Sequence, residues 1–239
     1  ARLHQKVFEE RFHYWADKLG FITWEEFPSW GMSSYAELAS RNFLSEWMEV
    51  MERDRNHPSI ITWAPFNAPL DIDYEMPDVF RRLILDTHKL TKAIASSRPF
   101  NDITAGIHFM TDIWSISNYA ADAATFTLSL MPDKSQMSYA NQPFFISEFG
   151  GLVWETSTPN NNTWGHGRMF NSEDELYEHM EKLVDAIQAS GEITGFCYTQ
   201  LTDIEQEKNG IYTYDRRTKL NIDRIKSIFE KIPSRPIKK

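Results

Sequence analysis

The sequence predicts an α/β fold with a parallel sheet, of the (β/α)8 (TIM) barrel type, from which the first β/α unit is absent. Short runs of β-branched and aromatic residues alternate with longer segments in which apolar residues recur every three to five positions. Six strand-like runs follow residue 20, and the 239 residues approach the roughly 250 that such a barrel needs. Because a missing unit leaves an open sheet edge, we expect a partner segment or a longer polypeptide to complete it.

The first half of the chain begins with a strand remnant at residues 1–4. The pattern then predicts a helix at 9–19, a strand at 20–27, a helix at 35–53, a strand at 59–67 and a helix that ends at about residue 96. Pro77 is placed in the first turn of that last helix, where its missing N–H removes no hydrogen bond. The helix at 35–53 carries one apolar stripe, which consists of Leu38, Phe43, Leu44, Trp47, Met48 and Met51.

The second half continues the alternation. The pattern predicts strands near 100–103 and 112–117 and at 144–148 and 194–201, with helices after residue 172 and at 223–231. Ser172 and Glu175 have the spacing of a capping box, and Gly191 is a suitable helix stop. We assign residues 1–232 to the partial barrel and residues 233–239 to a loose tail.

The composition excludes several classes of partner. The formal net charge of -9, with no basic run, argues against nucleic acid. The single Cys197 excludes an internal disulfide, and we interpret it as a buried strand thiol. The seven His show no metal-ligand spacing, so we expect neither a metal nor a cofactor. No apolar run is long enough to cross a membrane, and we expect a soluble protein, with the cytoplasm favoured as its location.

The segment Phe144–Gly151 carries the strongest functional signal. Aromatic and β-branched residues lead to Glu148, and the pair Gly150-Gly151 follows closely. A buried parallel strand presents an acid at its C-terminal end in this way, and catalytic groups of barrel enzymes lie at such ends. The alternative is a Glu that caps a turn or pairs with a cation. The choice depends on whether a second carboxylate faces Glu148.

Several motifs occur in an order that one known family shares. They are Arg2–Val7 (RLHQKV), Tyr14–Gly20 (YWADKLG), Asn56–Trp63 (NHPSIITW), Ile146–Gly151 (ISEFGG), Tyr198–Asp203 (YTQLTD) and Glu205–Tyr212 (EQEKNGIY). With these motifs the chain resembles, over nearly its whole length, the catalytic barrel of glycoside hydrolase family 2, which contains β-galactosidases, β-glucuronidases and β-mannosidases.

The resemblance implies a retaining glycosidase, whose two carboxylates lie about 5–5.5 Å apart at the ends of the fourth and seventh strands. Glu148 matches the nucleophile of the family. The acid/base position differs, because the family pattern Trp-x-Pro-x-Asn-Glu is WAPFNA at Trp63–Ala68. Ala68 therefore stands where the proton donor belongs, and the acid/base position is vacant.

Other changes bear on the same pocket. Family members usually carry His where Ser117 stands, and Trp is common where Ile107 stands. Together with Ala68 these changes shrink groups that should face one cavity, which indicates a pocket emptied by drift or by engineering. Displaced carboxylates rarely recover the required geometry, so the nearest acids are interpreted as loop or helix N-terminal charges. These acids are Asp71, Asp73 and Glu75.

The resemblance also implies supporting residues for substrate binding. Asn67 matches the residue that hydrogen-bonds the glycone 2-hydroxyl, and Arg2 matches an arginine that keeps the nucleophile ionised. Tyr119 is placed beside the nucleophile, and Glu26 is placed against sugar hydroxyls. Two alternatives stay open, namely Tyr119 as a core ring with a satisfied hydroxyl and Glu26 as an ion-pair partner.

Exposed tryptophans suit sugar stacking. We expect Trp154 to line the pocket, and the same role is considered for Trp24, Trp30 and Trp164. For any single one of them, packing in the core is the favoured interpretation.

Three functions remain open from the sequence. The first is a retaining hydrolase of β-glycosides, impaired because Ala68 cannot protonate the leaving group. The second is a non-catalytic barrel that binds a sugar or another small molecule in an emptied pocket. The third is a remodelled catalyst in which Glu148 acts as a base in an apolar cavity. The expected partner is a carbohydrate or small-molecule ligand, and the glycone is not fixed by the sequence.

Overall fold

The computed structural model describes residues 1–33, 36–67, 76–104, 107–131, 139–155 and 162–231. The chain divides into two compact units, the first formed by residues 1–116 and 134–143 and the second by residues 117–133 and 144–239. In chain order the elements are α1 (Glu10–Leu19), β1 (Thr23–Glu26), α2 (Glu37–Asp54), β2 (Ile60–Ala64), α3 (Asp78–Ile94), β3 (Trp114–Asn118), α4 (Ala123–Leu128), β4 (Phe144–Gly150), α5 (Glu173–Ser190), β5 (Ile193–Thr199) and α6 (Ile222–Phe229). The predicted α/β alternation is confirmed.

Parallel pairing organises the first unit. β1 and β2 run parallel, with Glu26 opposite Ala64. The predicted strand remnant at residues 1–4 is reduced to one parallel bridge between Arg2 and Trp24, next to which the Leu3 N–H donates to the Trp24 carbonyl at 3.0 Å. The carboxyl end of β1 therefore lies beside both Arg2 and the end of β2.

The strand predicted at 100–103 is not continuous. Only its two ends form parallel bridges, Phe100 with Trp63 and Ile103 with Phe66. Between them the Asp102 carboxylate accepts the backbone N–H groups of residues 109 and 110 at 2.6 and 2.8 Å and contacts His108 Nδ1 at 2.7 Å. The chain turns back to satisfy this buried acid, which interrupts the strand.

Helix α2 buries a narrower stripe than the sequence predicted. Its core-facing residues repeat every four positions, and Trp47 donates from its indole nitrogen to Thr91 on α3 at 2.9 Å. Leu38 and Met48 are 63% and 38% exposed, so their assignment to the stripe was wrong. Each lies off the four-residue repeat that faces the core. The buried cluster of this unit consists of Phe27, Phe43, Trp47, Met51, Ile60, Trp63, Phe66, Phe80, Leu83, Ile84 and Ile103.

The second unit is built on β4 and β5, which run parallel in a sheet ordered β3-β4-β5. The predicted helix after residue 172 is confirmed as α5. Ser172 accepts the Glu175 N–H at 3.5 Å, and Gly191 ends the helix in the left-handed conformation. Cys197 on β5 is partly exposed, which corrects its assignment as buried.

Helix α4 was missed by the sequence analysis. It has only six residues, too few for a periodic apolar pattern. Its signal is the cap Asp122, whose side chain accepts the Thr125 N–H at 2.9 Å. The predicted loose tail at 233–239 lies outside the described residues. None of the helices described here has the length and apolarity needed to cross a membrane.

Three ionisable side chains meet inside the first unit. His13 on α1, Glu25 on β1 and Asp54 at the end of α2 are fully buried. His13 Nε2 lies 3.4 Å from Glu25 Oε2 and 3.9 Å from Asp54 Oδ2. Within the described ranges, neither ring nitrogen of His13 and neither oxygen of Glu25 has a hydrogen-bond partner, whereas Arg53 donates twice to Asp54 at 2.7 and 2.6 Å.

The cluster of His13, Glu25, Asp54 and Arg53 has no net charge when Glu25 carries a proton and His13 is neutral. Burial, together with the negative charge of Asp54, raises the pKa of Glu25 to about 8. Burial also lowers the pKa of His13. Glu25 is therefore protonated near neutral pH and faces a neutral imidazole, while Arg53 neutralises Asp54.

Replacing the buried acid by Glu25→Gln should change how stability depends on pH. The raised pKa of Glu25 contributes stability that is complete below the ordinary value of 4.5 and is lost as pH rises to about 8. His13, whose pKa is lowered, costs stability only below about 6.5. Between pH 6.5 and 8 the free energy of unfolding of the parent should therefore fall, and Glu25→Gln should remove most of that slope.

Urea denaturation at several pH values measures the effect. The matched control is Glu52→Gln, an exposed position on α2 that should keep the parent slope. Equal slopes in the parent and in Glu25→Gln would contradict the assignment.

Candidate active site

Glu148 lies in β4, two residues before its end, and is partly exposed. Tyr119, the first residue after β3, donates its hydroxyl to Glu148 Oε2 at 2.7 Å. The same hydroxyl lies 3.0 Å from the Thr199 Oγ1, at the last residue of β5. Because a phenol carries one proton, Thr199 fits as the donor to the phenol oxygen while Tyr119 donates to the carboxylate. Residues at the ends of β3, β4 and β5 thus form one hydrogen-bonded chain that includes Glu148 Oε2.

Two glycines make this arrangement sterically feasible. A Cβ on Gly150 would lie 2.3 Å from the Tyr198 ring, and one on Gly151 would lie 2.7 Å from the His166 Cβ and 3.1 Å from the Tyr119 ring. Both glycines have positive φ angles, +89° and +57°. The Gly pair seen in the sequence therefore lets a loop pack directly against the strand end that carries Glu148.

That loop forms a ring wall beside Tyr119. The His166 ring stacks on the Tyr119 ring, with centroids 4.6 Å apart and an interplanar angle of 19°. Trp164, which is 48% exposed, meets His166 edge-on at 5.4 Å. His166 Nε2 lies 3.4 Å from Glu207 Oε1. These rings give the second unit a partly exposed aromatic surface next to Glu148.

A second polar cluster lies at the strand ends of the first unit. Arg2 forms a close ion pair with Glu26 and donates to Asn67 Oδ1 and Thr104 Oγ1, each at 3.1 Å. Glu26 also accepts the Gln5 N–H at 3.1 Å. Burial alone would raise the pKa of Glu26, but the Arg2 charge and the neighbouring hydrogen bonds outweigh it and lower this pKa. Glu26 is therefore held as a buried carboxylate.

Within the first unit Glu26 forms an ion pair with Arg2, as one of its two predicted roles proposed. Asn67 is 6% exposed, and its amide oxygen accepts hydrogen bonds from both Arg2 and Thr104. Arg2 thus organises the residues of its own unit, and its predicted influence on the nucleophile stays a prediction. Ala68 and the nearby acids Asp71, Asp73 and Glu75 lie outside the described residues.

The remaining predicted positions are placed as follows. Ser117 lies in β3 and is partly buried. Trp154 follows β4, is partly buried and donates its backbone N–H to the Lys208 carbonyl at 3.1 Å. Trp24 is buried in β1 at 6% exposure, which favours packing for that ring, whereas Trp30 is 49% exposed. Ligand binding by Ser117 and Trp154 stays a prediction.

The residue types that bind metals come together once within the described ranges. His13, Glu25 and Asp54 place one ligand atom each within 4.8 Å of one another. The Arg53 guanidinium donates to both oxygens of Asp54, and burial raises the pKa of Glu25 to about 8, so the cluster fits a divalent ion poorly.

The sequence analysis missed His166, Glu207, Thr199 and Thr104 as site residues. Their signals were present in part: Gly165 and Gly167 flank His166, and Glu207 belongs to a motif used for the resemblance. The contacts of each residue within its own unit depend on loop packing, which local patterns do not encode.

Comparison with known proteins gives the context of these residues. The protein family described as "Glycosyl hydrolases family 2, TIM barrel domain" matches this chain over residues 9–233. The chain is 25% identical over 173 residues to the β-galactosidase of Thermoanaerobacterium thermosulfurigenes, which covers 68% of this chain and 20% of that protein. It is 31% identical over 109 residues to the β-glucuronidase of Canis lupus familiaris, which covers 44% of this chain and 14% of that protein.

Solved structures share the fold. The Bifidobacterium dentium β-glucuronidase complexed with coumarin-3-O-glucuronide aligns with a TM-score of 0.78 and 22% identity, over 99% of this chain and 41% of that one. The family 2 β-galacturonidase of Eisenbergiella tayi bound to galacturonate aligns with a TM-score of 0.73 and 18% identity, over 95% of this chain and 44% of that one. The predicted TIM barrel fold class is confirmed, and the chain spans less than half the length of these proteins.

The contact between Gly151 and His166 can be tested by Gly151→Ala. The new Cβ would displace the loop from Tyr119 in addition to straining a left-handed residue. The matched control is Gly191→Ala, which has a similar φ of +68° and no atom within 4 Å of the added Cβ. We expect Gly191→Ala to cost about 1 kcal/mol of unfolding free energy, and Gly151→Ala to cost about 1–3 kcal/mol more.

Chemical denaturation of both variants measures the difference. Equal losses in the two variants would show that the loop does not rest on Gly151.

Proposed function

Because the chain belongs to the TIM barrel domain of glycosyl hydrolase family 2, we propose that it acts on β-glycosides by the retaining mechanism, with Glu148 as nucleophile. The observation that carries this proposal is the hydrogen bond from Tyr119 to Glu148 Oε2 at 2.7 Å. A donor on one oxygen favours the ionised carboxylate and fixes its orientation. An ionised carboxylate in a fixed orientation is the form that attacks an anomeric carbon.

The proposed activity is impaired, because the second carboxylate is missing from the sequence. Ala68 has no proton to give to the leaving group, and general acid catalysis contributes roughly 10²–10⁴-fold. Glycosides whose leaving groups need little protonation are the substrates that retain reactivity. Hydrolysis of the glycosyl intermediate is slow for the same reason, since no base activates water.

The ligand class we propose is a β-linked sugar. The curated relatives are β-galactosidases and β-glucuronidases, and the partly exposed ring of Trp164 provides a surface that suits a sugar face. Arg2 and Asn67 are proposed as polar groups for the same ligand, with Trp154 as a further wall.

A partner segment that completes the sheet stays a prediction. Exposed apolar side chains on α1 and on the loop that follows it support this prediction. They are Tyr14, Trp15, Leu19, Phe21 and Ile22, which are 49% to 76% exposed.

The alternative is a barrel that binds a sugar or a small molecule without turnover, and the vacancy at Ala68 favours it. The two functions differ in whether a covalent bond forms to Glu148. Calorimetric titration with monosaccharides that shows binding, in a protein that releases no aglycone, would support the alternative.

A small external nucleophile should restore turnover of activated substrates. Azide needs no base, so it should intercept the glycosyl intermediate and raise the release of aryl leaving groups by about 10-fold or more. The measurement is the steady-state rate with aryl β-galactoside and aryl β-glucuronide, with and without azide. Glu148→Gln is the matched control and should show no azide effect. Absence of acceleration in the parent would contradict the proposal.

Supplying the missing acid should recover hydrolysis of ordinary glycosides. We expect Ala68→Glu to raise kcat/KM by roughly 10²–10⁴-fold on the glycoside that fits the pocket. Assays of β-galactoside, β-glucuronide and β-mannoside identify the glycone. Ala68→Gln is the control for size, because it has no ionisable group. Equal activity of Ala68→Glu and Ala68→Gln would contradict the assignment of this position.

A further inference from the structure

We infer that His166, held by Glu207 and Trp164, is a positioning residue that fixes the Tyr119 ring and through it the orientation of Glu148. Its kinetic consequence rests on the proposed function, whereas its spectroscopic consequence does not. The imidazole covers one face of the Tyr119 ring at a centroid distance of 4.6 Å and an angle of 19°. A ring that packs against one face of another ring restricts the tilting of that ring.

The Tyr119 ring needs such a support. Its hydroxyl makes the contacts to Glu148 and Thr199 at 2.7 and 3.0 Å, so a small rotation of the ring moves the donor away from both oxygens. Hydrogen bonds weaken steeply when the geometry is lost. A displacement of the Tyr119 ring therefore weakens a hydrogen bond that orients the Glu148 carboxylate.

The support itself is fixed to the strand end of β4. Gly167 donates its N–H to the Gly151 carbonyl at 2.9 Å. A Cβ on Gly167 would lie 2.2 Å from the Gly150 carbonyl oxygen, so the backbone of the loop is in direct contact with β4. These contacts fix the backbone next to His166, which lies between the two loop glycines.

His166 also contacts a carboxylate through one ring nitrogen. Glu207 Oε1 lies 3.4 Å from His166 Nε2, and its side chain is only 12% exposed. Two backbone hydrogen bonds connect the segments: the Trp164 N–H donates to the Gln206 carbonyl at 3.1 Å, and the Lys208 N–H donates to the Trp164 carbonyl at 2.8 Å. The imidazole is therefore held between a carboxylate, an indole edge and the Tyr119 ring.

This role differs from that of a sugar contact or a catalytic group. His166 touches the donor of the nucleophile and not the carboxylate itself in the contacts described above. Its removal should therefore lower the rate of glycosyl-enzyme formation and leave substrate affinity nearly unchanged. Its effect should also disappear when the Tyr119 hydroxyl is absent.

A double-mutant cycle tests the inference. The proteins are the full 239-residue parent, His166→Ala, Tyr119→Phe and the double variant, with His166→Phe to restore a ring of similar shape. The measurement is the single-turnover rate and KM for aglycone release from an activated aryl β-glycoside. We expect His166→Ala to lose about 3- to 10-fold in rate, to lose nothing further in the Tyr119→Phe background, and to be rescued within about 2-fold by His166→Phe.

Two outcomes would overturn the inference. Equal losses with and without the Tyr119 hydroxyl would mean that His166 acts independently of Tyr119. A loss that appears only as a raised KM would make His166 a ligand contact.

A readout that needs no activity separates this inference from the proposed function. In protein labelled at the tyrosine ¹³Cζ, the Tyr119 signal is assigned by its loss in Tyr119→Phe. We expect His166→Ala to shift or broaden that signal and His166→Phe to leave it near the parent position. An unchanged signal in His166→Ala overturns the inference. If the parent forms no glycosyl intermediate but the signal responds as expected, the proposed function fails and the positioning role stands.

Discussion

The hydrogen bond between Tyr119 and Glu148 depends on the close approach of several segments to the end of β4. Two glycines there leave room for them. Gly150 leaves room for the Tyr198 ring, and Gly151 leaves room for both Tyr119 and His166. A Cβ at either position would lie within 2.7 Å of a neighbouring atom. The backbone geometry at the two glycines thus allows the 2.7 Å hydrogen bond from Tyr119 that orients the carboxylate.

In the first unit an ion pair, and not a glycine pair, orients the polar groups at the strand ends. Arg2 makes an ion pair with the buried Glu26 and reaches Asn67 and Thr104. Removing one partner of such a buried pair leaves an uncompensated charge. Several hydrogen bonds satisfy the remaining polar atoms of the pair. Asn67 directly precedes Ala68, the position at which the sequence predicts a missing acid/base group.

The sequence predicted the elements better than the contacts between them. Long periodic segments and capped ends, such as Ser172 and Gly191 around α5, are local signals and were recovered. The interruption at Asp102 was missed because it depends on N–H groups seven and eight residues away. The stacking of His166 on Tyr119 was missed for the same reason, since it joins residues that are far apart in the chain.

The central claim is that Glu148 is a nucleophile that retains reactivity without its acid partner. The most direct measurement is intact and peptide mass spectrometry after incubation with an activated 2-deoxy-2-fluoro aryl β-glycoside, which slows release of the intermediate. We expect one added glycosyl mass, located on the peptide that contains Glu148 and absent in Glu148→Gln. An unmodified protein, or an adduct on another residue, would contradict it.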